Sequence, residues 1–352
     1  MPVLKSPDCP IFNAPSPHLS ECPMKFTSLA FASRVLRRFL LLAACGAALL
    51  PMASQAAYPE QVIKLVVGFP PGGGGDTYGR ALANSLGKVL GRSVIVENRA
   101  GAGGTIAGNM VAKAKPDGYT LLLVLSGSFS AAPAVRSDLP YKVPDDFIPI
   151  AKLVDSPYGL VVRGDSPYTS IQDYLQKAKQ GKMTYASVGT GGASHIVAEM
   201  VKQQAGVDIL HVPYKGTGPA MNELLGGLVD SFMNPYVPLM SQIKSGKMRL
   251  LAISGNERAK ELPNVPTFKE VGIDIDLTLW YGVVAPAGTP KIVVDKLTRA
   301  TQQALKDPEL LRVYQADGGQ VQPLFGDQFR ELMVRDIQKF RTAVEKGNIQ
   351  AE

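Results

Sequence analysis

Beyond residue 56 the chain keeps two histidines, His195 and His211, and no cysteine, because Cys9, Cys22 and Cys45 all precede that point. Little is left for covalent chemistry. A serine hydrolase needs a nucleophile, a base and an orienting acid. Ser126, Ser187 and Ser194 could each be paired with His195, but no Gly-x-Ser-x-Gly elbow presents any of them. The spacing of the two histidines matches no metal-ligand motif, and a metal would need carboxylate help. His195 falls in the first turn of an expected helix beside a glycine turn. There it could donate a hydrogen bond to a ligand or serve in packing and capping, and the sequence leaves both open. His211 falls in an expected buried strand and reads as structural. No catalytic residue, cofactor or metal is assigned.

Glycine loops offer a different chemistry. Val66-Val67-Gly68-Phe69-Pro70-Pro71-Gly72-Gly73-Gly74-Gly75-Asp76 reads as a strand end, a turn, a glycine run and the start of a helix over Thr77 to about Leu90. Glycines between a strand and a helix N-terminus let backbone N–H groups face an anion without side chains in the way. Asp76 is read as the N-cap of that helix. Loops of the same type are expected after strands at 126–128, 189–194 and 213–218, where ligands sit in doubly wound sheets. Lys215 is the one cation in these loops. Phe69, Tyr214, Trp280 and Tyr281 would wall a site or simply belong to the core, and Asp230 would order a turn.

The anion is not a nucleotide phosphate. No Gly-Lys-Ser/Thr follows the first loop, and Gly189-x-Gly191-x-x-Ser194 fails the last position of Gly-x-Gly-x-x-Gly. A carboxylate can be held without arginine. Hydrogen bonds to charged groups contribute about 1.5–3 kcal/mol each, so three or four donors offset the several kcal/mol of desolvating the ion.

The elements that would position these loops alternate. Val62 to Phe69 is a near-continuous apolar, β-branched run, as in a strand buried on both faces. Tyr78, Leu82, Leu86 and Val89 lie on one face of the first helix, and Gly91 is its C-cap candidate. Strands at 93–97 and 121–125 flank a second glycine turn, Gly101-Ala102-Gly103-Gly104, and a helix over 105–114. Ile148 to Val154 and Leu160 to Val162 are expected as two strands separated by Pro157. A capping pattern at Ser170-Ile171-Gln172-Asp173 opens a short helix. The alternation restarts with strands at 183–188, 209–212, 229–233 and 249–254, the Asn234-Pro235 turn, a late strand at 279–285 and terminal helices. Strand–helix alternation with short links predicts an α/β chain of parallel sheets flanked by helices. Two such units, crossing over at 157–162 and 279–285, would make two lobes: 57–157 with 283–352, and 158–282.

Residues 1–56 read as a leader. Arg34, Arg37 and Arg38 precede the apolar run Phe39 to Leu50, followed by Ser54-Gln55-Ala56, the pattern of a secretory signal peptide. The run is shorter than the roughly 20 residues that span a bilayer. Leu42-Ala43-Ala44-Cys45 resembles a lipoprotein box, but the run continues past it, so cleavage ranks above lipid anchoring at Cys45. Met24 is read as the true start. Without residues 1–56 the net charge of +7 falls to +4, spread along the chain without a Lys/Arg cluster, which argues against nucleic acid as partner.

Several stretches together resemble one family. They are Gly68-Phe69-Pro70-Pro71-Gly72-Gly73 with Asp76 and Arg80; Val96 to Gly104 (VENRAGAGG); Pro116-Asp117-Gly118-Tyr119-Thr120-Leu121; His211-Val212-Pro213-Tyr214-Lys215-Gly216 with Pro219-Ala220; Leu224-Leu225-Gly226-Gly227 with Val229-Asp230; and Ala285 to Pro290 (APAGTP). The chain resembles the Bug-type substrate-binding proteins of tripartite tricarboxylate transporters. The resemblance implies a periplasmic, monomeric, non-enzymatic receptor of the two-lobe, type II arrangement. It would bind a small organic carboxylate in the interlobe cleft by hinge closure and deliver it to membrane transporter subunits. The resemblance further implies Phe69, Pro71, Gly72, Gly73, Ser126, Thr190, Gly191, Ser194 and Tyr214 as ligand residues. Asp76, Ser187, His195, Lys215 and Asn234 complete the candidate set. One departure is Val188, where the family commonly carries a second serine.

Overall fold

The computed structural model describes residues 58–316, 318–347 and 349. The expected leader over residues 1–56, its cleavage and lipid attachment at Cys45 lie outside the described residues.

β1 (Ile63–Val67) is apolar because it is covered on both faces, with Lys64 its one exposed residue. The first glycine loop leads into α1 (Gly74–Leu90), which buries Tyr78, Leu82 and Leu86. Gly91 ends it in the left-handed region at φ 65°. β2 (Val94–Asn98) and β3 (Thr120–Leu125) run parallel to β1 on either side, and α2 (Thr105–Ala112) joins them. After β3 the chain turns tightly through Gly127–Ala131 into a short α3 (Ala132–Val135).

β4 (Phe147–Arg163) then runs the length of the molecule as one strand, where the sequence suggested two. Pro157 does not break it, because the ladder changes partner there. Residues 147–157 pair antiparallel with β9 (Thr278–Pro286), whereas 158–163 pair antiparallel with β7 (Ser231–Pro235) and β8 (Met248–Ile253). A proline at such a junction forfeits no ladder bond. β9 in turn pairs antiparallel with β3.

The second half holds α4 (Ile171–Ala178), β5 (Thr184–Ser187), α5 (Ala193–Ala205), β6 (Leu210–Pro213), α6 (Thr217–Gly226) and α7 (Met240–Lys244). The capping box at Ser170 and Asp173 forms as the sequence suggests. β5 lies between β6 and β7, parallel to both. Asp230 joins β5 to the start of β7 by accepting from the Thr184 backbone and hydroxyl. The sheet order is β2-β1-β3-β9-β4-β7-β5-β6. The first half is thus the parallel trio β2-β1-β3 bordered by antiparallel β9, and the second the parallel trio β7-β5-β6 bordered by antiparallel β4, which pairs with β9 to join them. This is an α/β architecture of two strand trios flanked by helices.

The terminal elements are α8 (Lys291–Ala304), α9 (Pro308–Gln315), β10 (Leu324–Phe325) and α10 (Asp327–Gly347). α10 buries Phe329 and Met333 in the core of the first half and Phe340 and Ala343 in that of the second. Among the described residues β9 pairs with β3 and β4, so residue 283, the expected return to the first lobe, lies inside one continuous strand that runs from Thr278 to Pro286.

Candidate functional site

A cavity of about 580 Å³ lies where the two halves meet. The first half contributes Phe69, the turn Ala102–Gly103 with Thr105, and Gly127–Ser128. Thr190 to Ser194, Thr217 and Asn234 face it from the second half. Tyr158, Leu279 and Tyr281 come from the long strands β4 and β9. Helix N-termini therefore approach one space from opposite sides: α2 at Thr105, α5 at Gly192–Ser194 and α6 at Thr217. Their first-turn N–H groups have no intrahelical acceptor, and their dipoles favour negative charge.

Of the candidate residues, Phe69, Thr190, Gly191, Ser194 and Asn234 line this cavity. Ser194 is almost fully buried and its hydroxyl accepts the Val188 N–H at 3.2 Å, which fixes the third glycine loop against its helix. Asn234 turns its amide onto the Pro235 carbonyl.

The others serve elsewhere. Asp76 is not an N-cap: α1 begins earlier, with Gly73 in the cap position and no side-chain cap. The Asp76 carboxylate instead accepts from the Gly72 N–H, the Asn98 amide and the Arg80 guanidinium. Arg80 and these hydrogen bonds hold its pKa down to about 2. The first loop is thereby folded onto its own helix, and Pro71, Gly72 and Gly73 stay exposed and outside the cavity lining. Ser126 is fully buried, donating to the Thr278 carbonyl. Tyr214 packs on the core of the second half, and Lys215 is exposed away from the cavity. Trp280 is core, its indole donating to Asp336.

The histidines are internal supports. His195 Nδ1 accepts the Gly191 N–H at 3.0 Å, so it caps the glycine loop and has no lone pair left on that nitrogen. His211 Nε2 lies 2.7 Å from Ser187 Oγ, the distance of a nucleophile–base pair. However, Ser187 has no exposed surface, and among the described residues no carboxylate bonds His211. Burial lowers the pKa of both rings, that of His211 to about 4. Among the described residues no group of three or more His, Cys, Asp or Glu side chains is placed to hold a metal ion.

Of the lining residues outside the candidate set, the second glycine turn and Arg136 stand out. The second glycine turn was visible as a glycine run before a helix, the same signal as the other loops. It faces the cavity where the first loop was expected to. Arg136 carried no signal at all. It is the charged residue of the lining, and Asp138 engages it through two hydrogen bonds of 3.0 Å. Hydrogen bonding to Asp138 pushes its pKa up.

No helix among the described residues is long and apolar enough to cross a membrane. The family described as "Tripartite tricarboxylate transporter family receptor" matches residues 79–349. The chain is 35% identical over 300 residues to Protein BugT of Bordetella pertussis, covering 83% of this chain and 90% of that one. The periplasmic binding protein BugD superposes with a TM-score of 0.72 at 36% identity, over 84% of this chain and 100% of that chain. MatC from Rhodopseudomonas palustris, solved with bound malate, gives 0.70 at 30% identity, over 82% and 100%. The chain belongs to the receptor family of the tripartite tricarboxylate transporters.

Proposed function

We propose that this chain is an exported, periplasmic solute receptor that closes its two halves on a small organic carboxylate and passes it to a tripartite-type membrane transporter. The observation that carries the reading is the convergence of α2, α5 and α6 N-termini on one cavity whose single charged side chain is already paired. Such a space attracts an anion through backbone and hydroxyl donors, here those of Thr105, Ser194 and Thr217. The apolar walls, Phe69, Leu125, Tyr158 and Leu279 among them, would hold the carbon skeleton. The malate in MatC supports the ligand class. Hinge closure would fall to the β4–β9 pair and α10, which join the halves. The buried state of Ser187 speaks against the alternative of a Ser/His hydrolase. A sensor without its own transporter would bind in the same way and differ only in its partner.

A thermal-shift panel of small carboxylates on the purified protein tests the reading. Ligand at 100 times its Kd adds about 2.7 kcal/mol of stability. A panel in which no acid raises the melting temperature would overturn it, and release of a product from any bound acid would favour an enzyme.

A further inference from the structure

A separate cavity of about 350 Å³ lies on the far face of the strands that join the two halves. Successive residues of a strand point to opposite faces. Leu279 and Tyr281 of β9 face the cleft, whereas Thr278 lines the second space together with Lys152 and Asp155 of β4. The loop after β8, Gly255–Glu257, closes it from the second half. Asp276 and half-exposed Arg335 of α10 complete its charged lining.

The internal pairing of these groups leaves both signs of charge with bonding capacity. Lys152 is 5% exposed and its ammonium carries three N–H donors, yet among the described residues Asp155 is its one acceptor. Asp155 already accepts on both oxygens, from Lys152 on one and from the Thr278 hydroxyl on the other. Arg335 commits Nε and Nη2 to Asp336 and keeps Nη1. On the acidic side Asp276 is engaged by Lys339, while Glu257 makes no ion pair or hydrogen bond among the described residues. A buried ammonium with two N–H groups unanswered is costly, and native structures rarely leave such groups so.

The balance of charge selects the ligand. A simple anion drawn to Lys152 would lie beside the carboxylates of Asp155, Glu257 and Asp276. A simple cation drawn to Glu257 would lie beside Lys152 and Arg335. A molecule that carries both charges meets a partner for each and escapes both repulsions. We propose that this cavity is a second binding site, for a small zwitterion. Its carboxylate takes the free N–H groups of Lys152 and Arg335, and its ammonium faces Glu257. The volume falls at the small end of ligand pockets, which suits an unbranched amino acid. The site is distinct from the cleft and stands whether or not the cleft takes a carboxylate.

Calorimetry on the full chain tests the site with glycine, β-alanine and 4-aminobutyrate, and with propylamine, which carries the positive charge alone. One zwitterion of the series is expected to bind once per chain, at least ten-fold tighter than propylamine. Glu257→Gln should weaken that zwitterion ten-fold or more while leaving Tm and the cleft's affinity for carboxylates unchanged, because Glu257 is exposed and bonds no described residue. Thr217→Glu, which puts a carboxylate into the cleft, should leave the zwitterion's Kd as it was. The reverse pattern, loss in Thr217→Glu and retention in Glu257→Gln, would place the amino acid in the cleft and overturn the second site. Binding of none of the three zwitterions, or propylamine bound as tightly as the best of them, would overturn it as well. Each of these failures leaves the carboxylate reading of the cleft untouched.

Discussion

The imidazole rings of His195 and His211 stack face to face, 3.9 Å between centroids and 8° from parallel. Between them they suspend the third glycine loop. His195 Nδ1 accepts the Gly191 N–H, and His211 Nε2 bonds Ser187 Oγ, which in turn meets the Gly189 N–H at 3.3 Å. Tyr185 stacks on His211, and its hydroxyl donates to Glu199, which also pairs with Lys202. Two rings this close cannot both carry charge without strong repulsion. Burial and the neighbouring imidazole keep His211 neutral down to about pH 4.

The sign of the pH dependence follows. Both rings have folded pKa values below the ordinary histidine value of 6.5. The unfolded chain therefore takes up protons first as pH falls. Their contribution to stability is complete above pH 6.5 and is lost progressively towards about 4. Protonated His195 also can no longer accept from Gly191, so carboxylate affinity should fall in the same window. Thermal melts from pH 7.5 to 4 check this against a His195→Gln/His211→Gln variant, whose amides do not titrate. An unchanged slope in the variant would place the effect elsewhere.

Much of the fold was legible because its signals are local. The apolar run at 63–67, the glycine at 91 and the capping box at 170–173 each determine their own neighbourhood. What could not be read is set by partners distant in sequence. Pro157 looks like a strand breaker until one knows that β4 changes from β9 to β7 beside it. Asp76 looks like a cap because one of the partners it bonds, Asn98, stands at the end of β2 and reaches it only through the pairing of β1 with β2. At the site, Gly191 and Ser194 were visible in the glycine pattern, while Arg136 and Glu257 sit in ordinary sequence and acquire meaning only from the cavities they line.

Gly68 and Gly104 are the point where the first and second glycine turns touch. A β-carbon on Gly68 would stand 2.9 Å from Gly104 Cα and 3.2 Å from Ala107 Cβ. Backbone cannot yield as a side-chain tip can, so Gly68→Ala should cost about 1–3 kcal/mol by overpacking. It should also displace the Ala102–Thr105 turn from the cavity and weaken ligand binding. Urea denaturation and a binding titration measure the two effects. Full stability in Gly68→Ala would show that the turns are loosely packed.

Asp76→Ala removes the acceptor for Gly72, Asn98 and Arg80 together. Each buried donor left unpaired costs about 1–3 kcal/mol, while exposed Arg80 returns to water. We expect a loss of about 2 kcal/mol, most of it in the first loop, read as faster amide exchange at residues 70–76. Because the carboxylate is held down to about pKa 2, the wild type gains this stabilisation above its unfolded pKa and loses it only as pH falls towards 2. Asp76→Asn should be stable but lack that acid limb. Protection at 70–76 equal to the wild type in Asp76→Ala would mean the loop is held by something else.

The strand pair that joins the halves carries a buried charge pair. Lys152 and Asp155 are about 95% buried and bonded to each other, and Asp155 also accepts the Thr278 hydroxyl at 2.7 Å and exchanges backbone bonds with Gln320 at 2.8 Å. Removing one member strands the other charge in the interior, which costs about 3–5 kcal/mol, whereas replacing both with apolar residues of similar volume is near neutral. Asp155→Ala should therefore be severely destabilised, and Lys152→Met should rescue most of it, a strong coupling in a double-mutant cycle. If the pair also fixes the register of β4 on β9, the rescued protein will regain stability without regaining ligand affinity. Additive single losses would deny the coupling. Recovery of both stability and affinity would show that the charges are dispensable to closure.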